Sequence, residues 1–114
     1  MNVTRITGLG IIPRFNGHSF DVFSANKEPI TISSQFGCVS IPIGVSIEFD
    51  DENLYGHLYP SPDFPFTMIV DHVLSTAVTL VNVGPSLTVK PGDRIAHFTV
   101  NENKKVELKL INNN

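Results

Sequence analysis

Prolines at positions 13, 29, 42, 60, 62, 65, 85 and 91 divide this chain of 114 residues. Each one removes a backbone N–H donor and fixes one dihedral, so a helix running through it would lose a hydrogen bond and clash with the preceding turn. Between the prolines, Gly, Asn and Asp recur every few residues. What survives this punctuation is a set of short apolar or alternating runs. Such a pattern predicts an all-β fold, a sandwich or barrel of short strands with little or no helix.

The runs can be placed in order. Val3–Ile6 comes first, then Ile11–Phe15, which Pro13 marks as an edge or bulged segment. Asn16-Gly17 is a turn signal. Ser19–Ser24 alternates, with Phe20 and Val22 on one face and Ser19, Asp21 and Phe23 on the other. Ile30–Ser33 and Cys38–Ile41 are two further strands. Val45, Ile47 and Phe49 alternate with Ser46 and Glu48. The acidic Asp50-Asp51-Glu52-Asn53 lacks the central Gly and distal Glu of a calcium loop and reads as a solvated turn. Leu54–Tyr59 carries Gly56 in mid-strand, the mark of a bulge or a close approach. Phe66–Val70 and Ala77–Val83 are the most apolar runs, expected to be the most buried. Lys105–Ile111 alternates as an amphipathic last strand, and Asn112-Asn113-Asn114 is expected to fray.

The most informative stretch is Leu80–Val100, two strands and a connection closed by a tight turn at Pro91-Gly92-Asp93. Pro presets one turn dihedral and Gly accepts the next without steric cost. Beyond the turn, simple alternation puts Ile95, His97 and Thr99 on one face and Arg94, Ala96, Phe98 and Val100 on the other. Asp93 and Arg94 then stand at a strand mouth, where they are expected to form an ion pair or, as the alternative, to contact a phosphate.

Composition narrows the function classes. The chain is long enough for one domain, residues 1–114, with a real core. Its net charge of −3 and the lack of a basic stripe or any Trp argue against a free-standing nucleic-acid binder. Cys38 is the only cysteine, so no intramolecular disulfide can form, which fits a reducing, cytoplasmic setting. Its apolar surroundings suggest a small buried hydrophobe. The eight Phe are expected mainly in the core. No apolar run reaches membrane-spanning length, and the first residues do not read as a signal peptide. His18, His57, His72 and His97 lack zinc-ligand spacing, so no metal site is expected.

Gly92-Asp93-Arg94-Ile95-Ala96 resembles the fourth motif of the dUTPase family, a Gly-Asp-Arg-Ile-Ala-Gln strand, with His97 in place of the Gln. The rest of the chain follows in order. His18-Ser19-Phe20-Asp21-Val22 is similar to the first motif, Ala-Gly-Tyr-Asp-Leu. Ile41–Ile47 is similar to the Ile-Pro-Thr-Gly strand. Tyr55–Phe64 is similar to the second motif, Tyr-Gly-Arg-Ile-Ala-Pro-Arg-Ser-Ser-Leu. The resemblance, to the dUTPase and dCTP deaminase superfamily, implies a dUTPase-like β-barrel or jelly roll. It makes Asp21, Gly56, Gly92, Asp93 and Arg94 the motif residues.

The departures bear on activity. The family's phosphate-holding Arg-Ser pair is Ser61-Pro62 here, a hydroxyl and a residue with no donor. The water-activating Asp of the third motif falls on Ile69. Sliding by two residues reaches Asp71 and His72, but the motif's Tyr and Arg-Gly remain absent. No Gly-rich fifth motif follows the last strand. Of the eight cations only Arg94 sits in a motif, a poor provision for a triphosphate. No catalytic residue is expected, and no cofactor of its own; magnesium would enter only with a bound nucleotide.

The resemblance therefore implies a catalytically inactive binder of a nucleotide or nucleotide-derived signal, in clefts between subunits of a homotrimer. The candidate ligand-binding residues are Tyr59, Ser61, Asp71, His72, Asn82, Arg94 and His97. The alternative is a viral accessory protein that uses the fold as a scaffold for a host protein, in the host cytosol. Some small viral proteins that look like degenerate dUTPases do this, one of them through a C-terminal PDZ-binding tail. The Ile111–Asn114 tail lacks the terminal apolar residue this would need. An active dUTP pyrophosphatase and a structural virion protein are weaker alternatives.

Overall fold

The computed structural model describes residues 1–103. The strand expected at Lys105–Ile111 and the frayed end at 112–114 lie outside the described residues. Among the described residues there are eleven strands and no helix. They are β1 (Asn2–Arg5), β2 (Arg14–Phe15), β3 (Phe20–Phe23), β4 (Ile30–Ile32), β5 (Gly37–Pro42) and β6 (Val45–Glu48), then β7 (Leu54–Pro60), β8 (Thr67–Ile69), β9 (Ala77–Asn82), β10 (Leu87–Val89) and β11 (Arg94–Glu102). Each of the expected runs among these residues became a strand. The chain is all-β, as the proline spacing required.

The strands pair antiparallel into a four-stranded sheet, β2-β3-β11-β7, and a three-stranded sheet, β5-β9-β8. Two ribbons, β1-β6 and β10-β4, complete the arrangement. One core runs through all of them. Val22, Ile32, Ile41, Val45, Leu58, Ile69, Val78, Leu80, Val89, Ile95 and Phe98 all belong to it. Nearly every strand thus turns one apolar face to a common centre, as expected when antiparallel sheets fold around a single core.

Parity along each strand overturns three expectations. Cys38 is exposed, not buried. On β5 it is Val39 and Ile41 that turn inward, so the register with β9 sends Cys38 and Ser40 out. The two most apolar runs are buried on one face only. Thr67 and Ile69 are buried, while Phe66, Met68 and Val70 are exposed. The Phe residues also divide. Phe98 and Phe23 are buried, whereas Phe15, Phe36 and Phe66 are exposed. Local apolarity predicts a strand, but only pairing decides which face is covered.

Gly92 has a φ of +83°, the left-handed conformation its turn requires. Gly56 serves a close approach: a Cβ there would lie 2.8 Å from the Leu74 side chain, which packs against the core. We expect Gly56→Ala to cost ~1–3 kcal/mol by overpacking. In chemical unfolding, Leu74→Ala should relieve part of that cost, so the double variant should lose less than the sum of the two singles.

Candidate functional site

The site is built around β11, which lies between β3 and β7. His97 faces Asp21 on one side and Tyr59 on the other. Strict alternation would separate Arg94 from His97. A bulge between Arg94 and Ala96 intervenes: Arg94 opposes Phe23, and Ala96 opposes the next residue, Val22. Ile95 and Ala96 are consequently both buried. Arg94 and His97 line the same cleft. The expectation that Ile95 shares a face with His97 is corrected by this extra residue.

The cleft measures about 360 Å³ and is walled by Asn16, His18, Ser19, Asp21, Pro62, Arg94 and His97. The Asn16-Gly17 turn supplies one wall. Asn16 Oδ1 accepts from the backbone N–H groups of His18 and Ser19, at 3.0 and 2.9 Å. Asn16 Nδ2 donates to Asp21 Oδ1 and to Ser19 Oγ, both at 3.0 Å. Ser19 Oγ lies 3.0 Å from His97 Nδ1. One amide thereby holds the turn, the carboxylate and, through Ser19, the imidazole.

Arg94 forms the opposite wall. Its Nε and Nη2 donate to the two carboxylate oxygens of Asp63, each at 3.0 Å. Its Nη1 lies 3.6 Å from Asp21 Oδ2. The Asp63 hydrogen bond is the largest influence and raises the Arg94 pKa further above its already high value; burial opposes it, and the charges of Asp63 and Asp21 add to the rise. The expected Asp93–Arg94 ion pair does not form. Asp93 instead closes its own turn: its Oδ2 accepts from Lys90 N at 2.7 Å, and its N–H donates to Ser24 Oγ at 3.1 Å. A carboxylate one residue before a bulged strand is already committed to the turn.

Other expected residues lie elsewhere. Asn82 is fully buried. Its Nδ2 donates to the carbonyls of Ile32, Ser33 and Pro85 at 3.2, 3.4 and 2.8 Å, and its Oδ1 accepts from Gly84 N at 3.0 Å. It ties a turn into the core and has no capacity left for a ligand. Ser61 is also buried, and its Oγ accepts from Asp63 N at 3.2 Å, shaping the loop that carries Asp63. Asp71 is exposed and accepts from Val73 N at 3.0 Å. Ile69 belongs to the core.

Tyr59 and His72 form part of a row of rings on the outer face of the sheet. Tyr59 stacks on His97 with ring centroids 5.4 Å apart, and His57 lies 4.7 Å from Tyr59. His72 stacks on His57 at 5.1 Å, its Nδ1 donating to Leu58 O at 2.9 Å. The row runs from the cleft to the β8–β9 connection. Sequence reasoning missed Asn16, Ser19 and His57, and read Asp63 as a turn former. Asn16 did carry a signal, since the side chain that makes a tight turn also points back across it.

The donor set does not fit a magnesium–triphosphate. Asp21 is a single carboxylate with one oxygen taken by Asn16 and the other beside a guanidinium. Among the described residues no three His, Cys, Asp or Glu side chains converge so as to hold a metal ion.

The architecture matches solved structures closely. A point mutant of the Staphylococcus bacteriophage 80alpha dUTPase aligns with a TM-score of 0.80 over 98% of this chain and 96% of that one, at 15% identity. The chain has the dUTPase fold. A second 80alpha mutant aligns at 0.79 and 16% identity, and the dUTPase of S. aureus phage phi11 at 0.75 and 13%, with the same coverage of both chains. The sequence matches no family model and no curated protein. The dUTPase fold is thus kept at an identity where only its framework is common.

Asn82 provides a test of this division between site and scaffold. Removing its amide leaves Gly84 N and three carbonyls without this partner. Asn82→Ala should therefore cost roughly 2–4 kcal/mol in urea unfolding. A cost below about 0.5 kcal/mol, the level of an ordinary surface change, would return Asn82 to the candidate ligand contacts.

Proposed function

We propose that this protein is a non-hydrolysing binder built on the dUTPase fold, which takes a nucleotide or nucleotide-like small molecule in the cleft between Asn16 and Arg94. One observation carries this reading: the groups that the family motifs would lend to hydrolysis are here replaced or held by neighbours. The only motif cation, Arg94, is held by two carboxylates. The water-activating position is the core residue Ile69, and the neighbouring Asp71 caps its own turn. Transfer of a phosphoryl group depends on neutralising and positioning several negative charges. A cleft in which two carboxylates face one guanidinium supplies the reverse. What it offers a ligand is the His97 ring stacked beside the exposed ring of Tyr59, on a wall whose Asn16 and Ser19 are fixed by their own hydrogen bonds.

With dUTP and magnesium, the purified protein should turn over far below one per second, the low end for ordinary enzymes. A thermal-shift panel of nucleosides, nucleotides, cyclic nucleotides and dinucleotides should raise the melting temperature by several degrees with one class. Enzyme-like hydrolysis would overturn the inactive reading, and a flat panel the small-molecule one.

A second reading, association through a protein surface, is favoured by the outer face of the β5-β9-β8 sheet. Cys38, Val81 and Met68 form one row across it, flanked by the exposed Phe36, Phe66, Val70 and Val83. An apolar face of this extent marks an interaction surface. The 80alpha phage dUTPases are described as controlling transfer of virulence genes by a proto-oncogenic G protein-like mechanism, so proteins of this fold do act beyond nucleotide chemistry. Self-association as a homotrimer would cover the same face. Light scattering should then give three times the chain mass, and Met68→Asp should reduce it to the monomer.

A further inference from the structure

Asp63 sits on a loop with little freedom. Pro60, Pro62 and Pro65 restrict its backbone. Asp63 N–H donates to Ser61 Oγ at 3.2 Å, and Phe64 N–H to Ser61 O at 3.0 Å, closing a turn around the buried Ser61. The Asp63 side chain is 56% exposed, yet both of its oxygens are aligned on the Nε–Nη2 edge of Arg94. That edge is the fork by which a guanidinium takes two oxygens of a phosphate. Asp21 covers the remaining Nη1, at 3.6 Å.

We infer that Asp63 is the cleft's own anion: it occupies the guanidinium fork that a phosphate group would use, and so sets the cleft against polyphosphates. The physical basis is intramolecular competition. A carboxylate held by a short, rigid loop acts at an effective concentration in the millimolar range or above, and a free anion must displace it. Because the prolines have already fixed the loop, holding the pair costs less side-chain and backbone freedom than an ordinary surface ion pair. The Asp63 charge also repels an incoming polyanion, whatever its position on the fork. This inference rests on the cleft being the binding site proposed above. It narrows the ligand to one with little negative charge, such as a nucleoside or a singly charged phosphate ester.

The test uses inorganic pyrophosphate and calorimetry at low salt. Asp63→Asn keeps the shape and removes the charge; Asp63→Ser removes the reach as well. Both variants should bind pyrophosphate at least fivefold more tightly than the unmodified protein. The gain should disappear when Arg94→Gln is added to Asp63→Asn. Circular dichroism establishes that each variant is folded. Equal affinity in the unmodified protein and the two folded variants would overturn the inference, as would a gain that survives without Arg94. If one substitution unfolds the chain, the other carries the comparison. The nucleotide panel is a separate readout: a flat panel with a gain in the Asp63 variants would count against the small-molecule function and leave the role of Asp63 standing.

Discussion

Strand β11 holds this molecule together, and its bulge determines what the molecule can present. Pairing with β3 on one side and β7 on the other, it supplies Ile95, Ala96 and Phe98 to the core. Were the same residues paired without a bulge, the guanidinium would share the inward parity of Ala96 and Phe98. A charge buried there without a partner would be strongly destabilising. The bulge moves it to the outer face, where Asp21 and Asp63 meet it and His97 stands nearby. The core packing and the cleft are thus two consequences of one local irregularity, a common use of bulges beside binding sites.

The cleft that results is polar and crowded with internal partners. Asn16 satisfies the turn and Asp21 together, Ser19 reaches His97, and Asp63 closes over Arg94. Asn16, Ser19, Asp21, Asp63 and Arg94 each act on a neighbour. This arrangement stabilises a shape and a hydrogen-bonding surface. Its motif cation, Arg94, is held between Asp21 and Asp63, and the non-hydrolysing binding proposed above rests on that engagement. The dUTPase fold provides the frame, and the side chains on it set the chemistry.

Much of the fold was legible before any coordinates. Pro13 demoted its run to the short edge strand β2, and Gly56 announced the close approach of Leu74. The site was legible only in part. Arg94 and His97 were found because they lie in a recognisable motif. Asn16 looked like a turn residue and Asp63 like a loop residue, and both descriptions are locally correct. The second role of Asp63 arises from a contact 31 residues along the chain, which no local pattern encodes, whereas Asn16 acts on Ser19 and Asp21 three and five residues on and reaches β11 only through Ser19. Asn82 misled for the opposite reason: an amide next to a motif reads as a ligand contact, whereas here it closes the Val83–Ser86 turn and satisfies the carbonyls of Ile32 and Ser33 at the end of β4.

By itself, then, the sequence determined that the chain would be all-β, where its strands would run, and that Pro91-Gly92-Asp93 would turn. These follow from backbone sterics and side-chain period, which act over a few residues. The tertiary structure alone decided that Met68 on β8 stays exposed while Val81 on β9 is half-buried, that Cys38 points outward, and that Arg94 meets Asp63 instead of Asp93. These depend on strand register and on one inserted residue, and a shift of one position in either exchanges the inside of a strand for its outside.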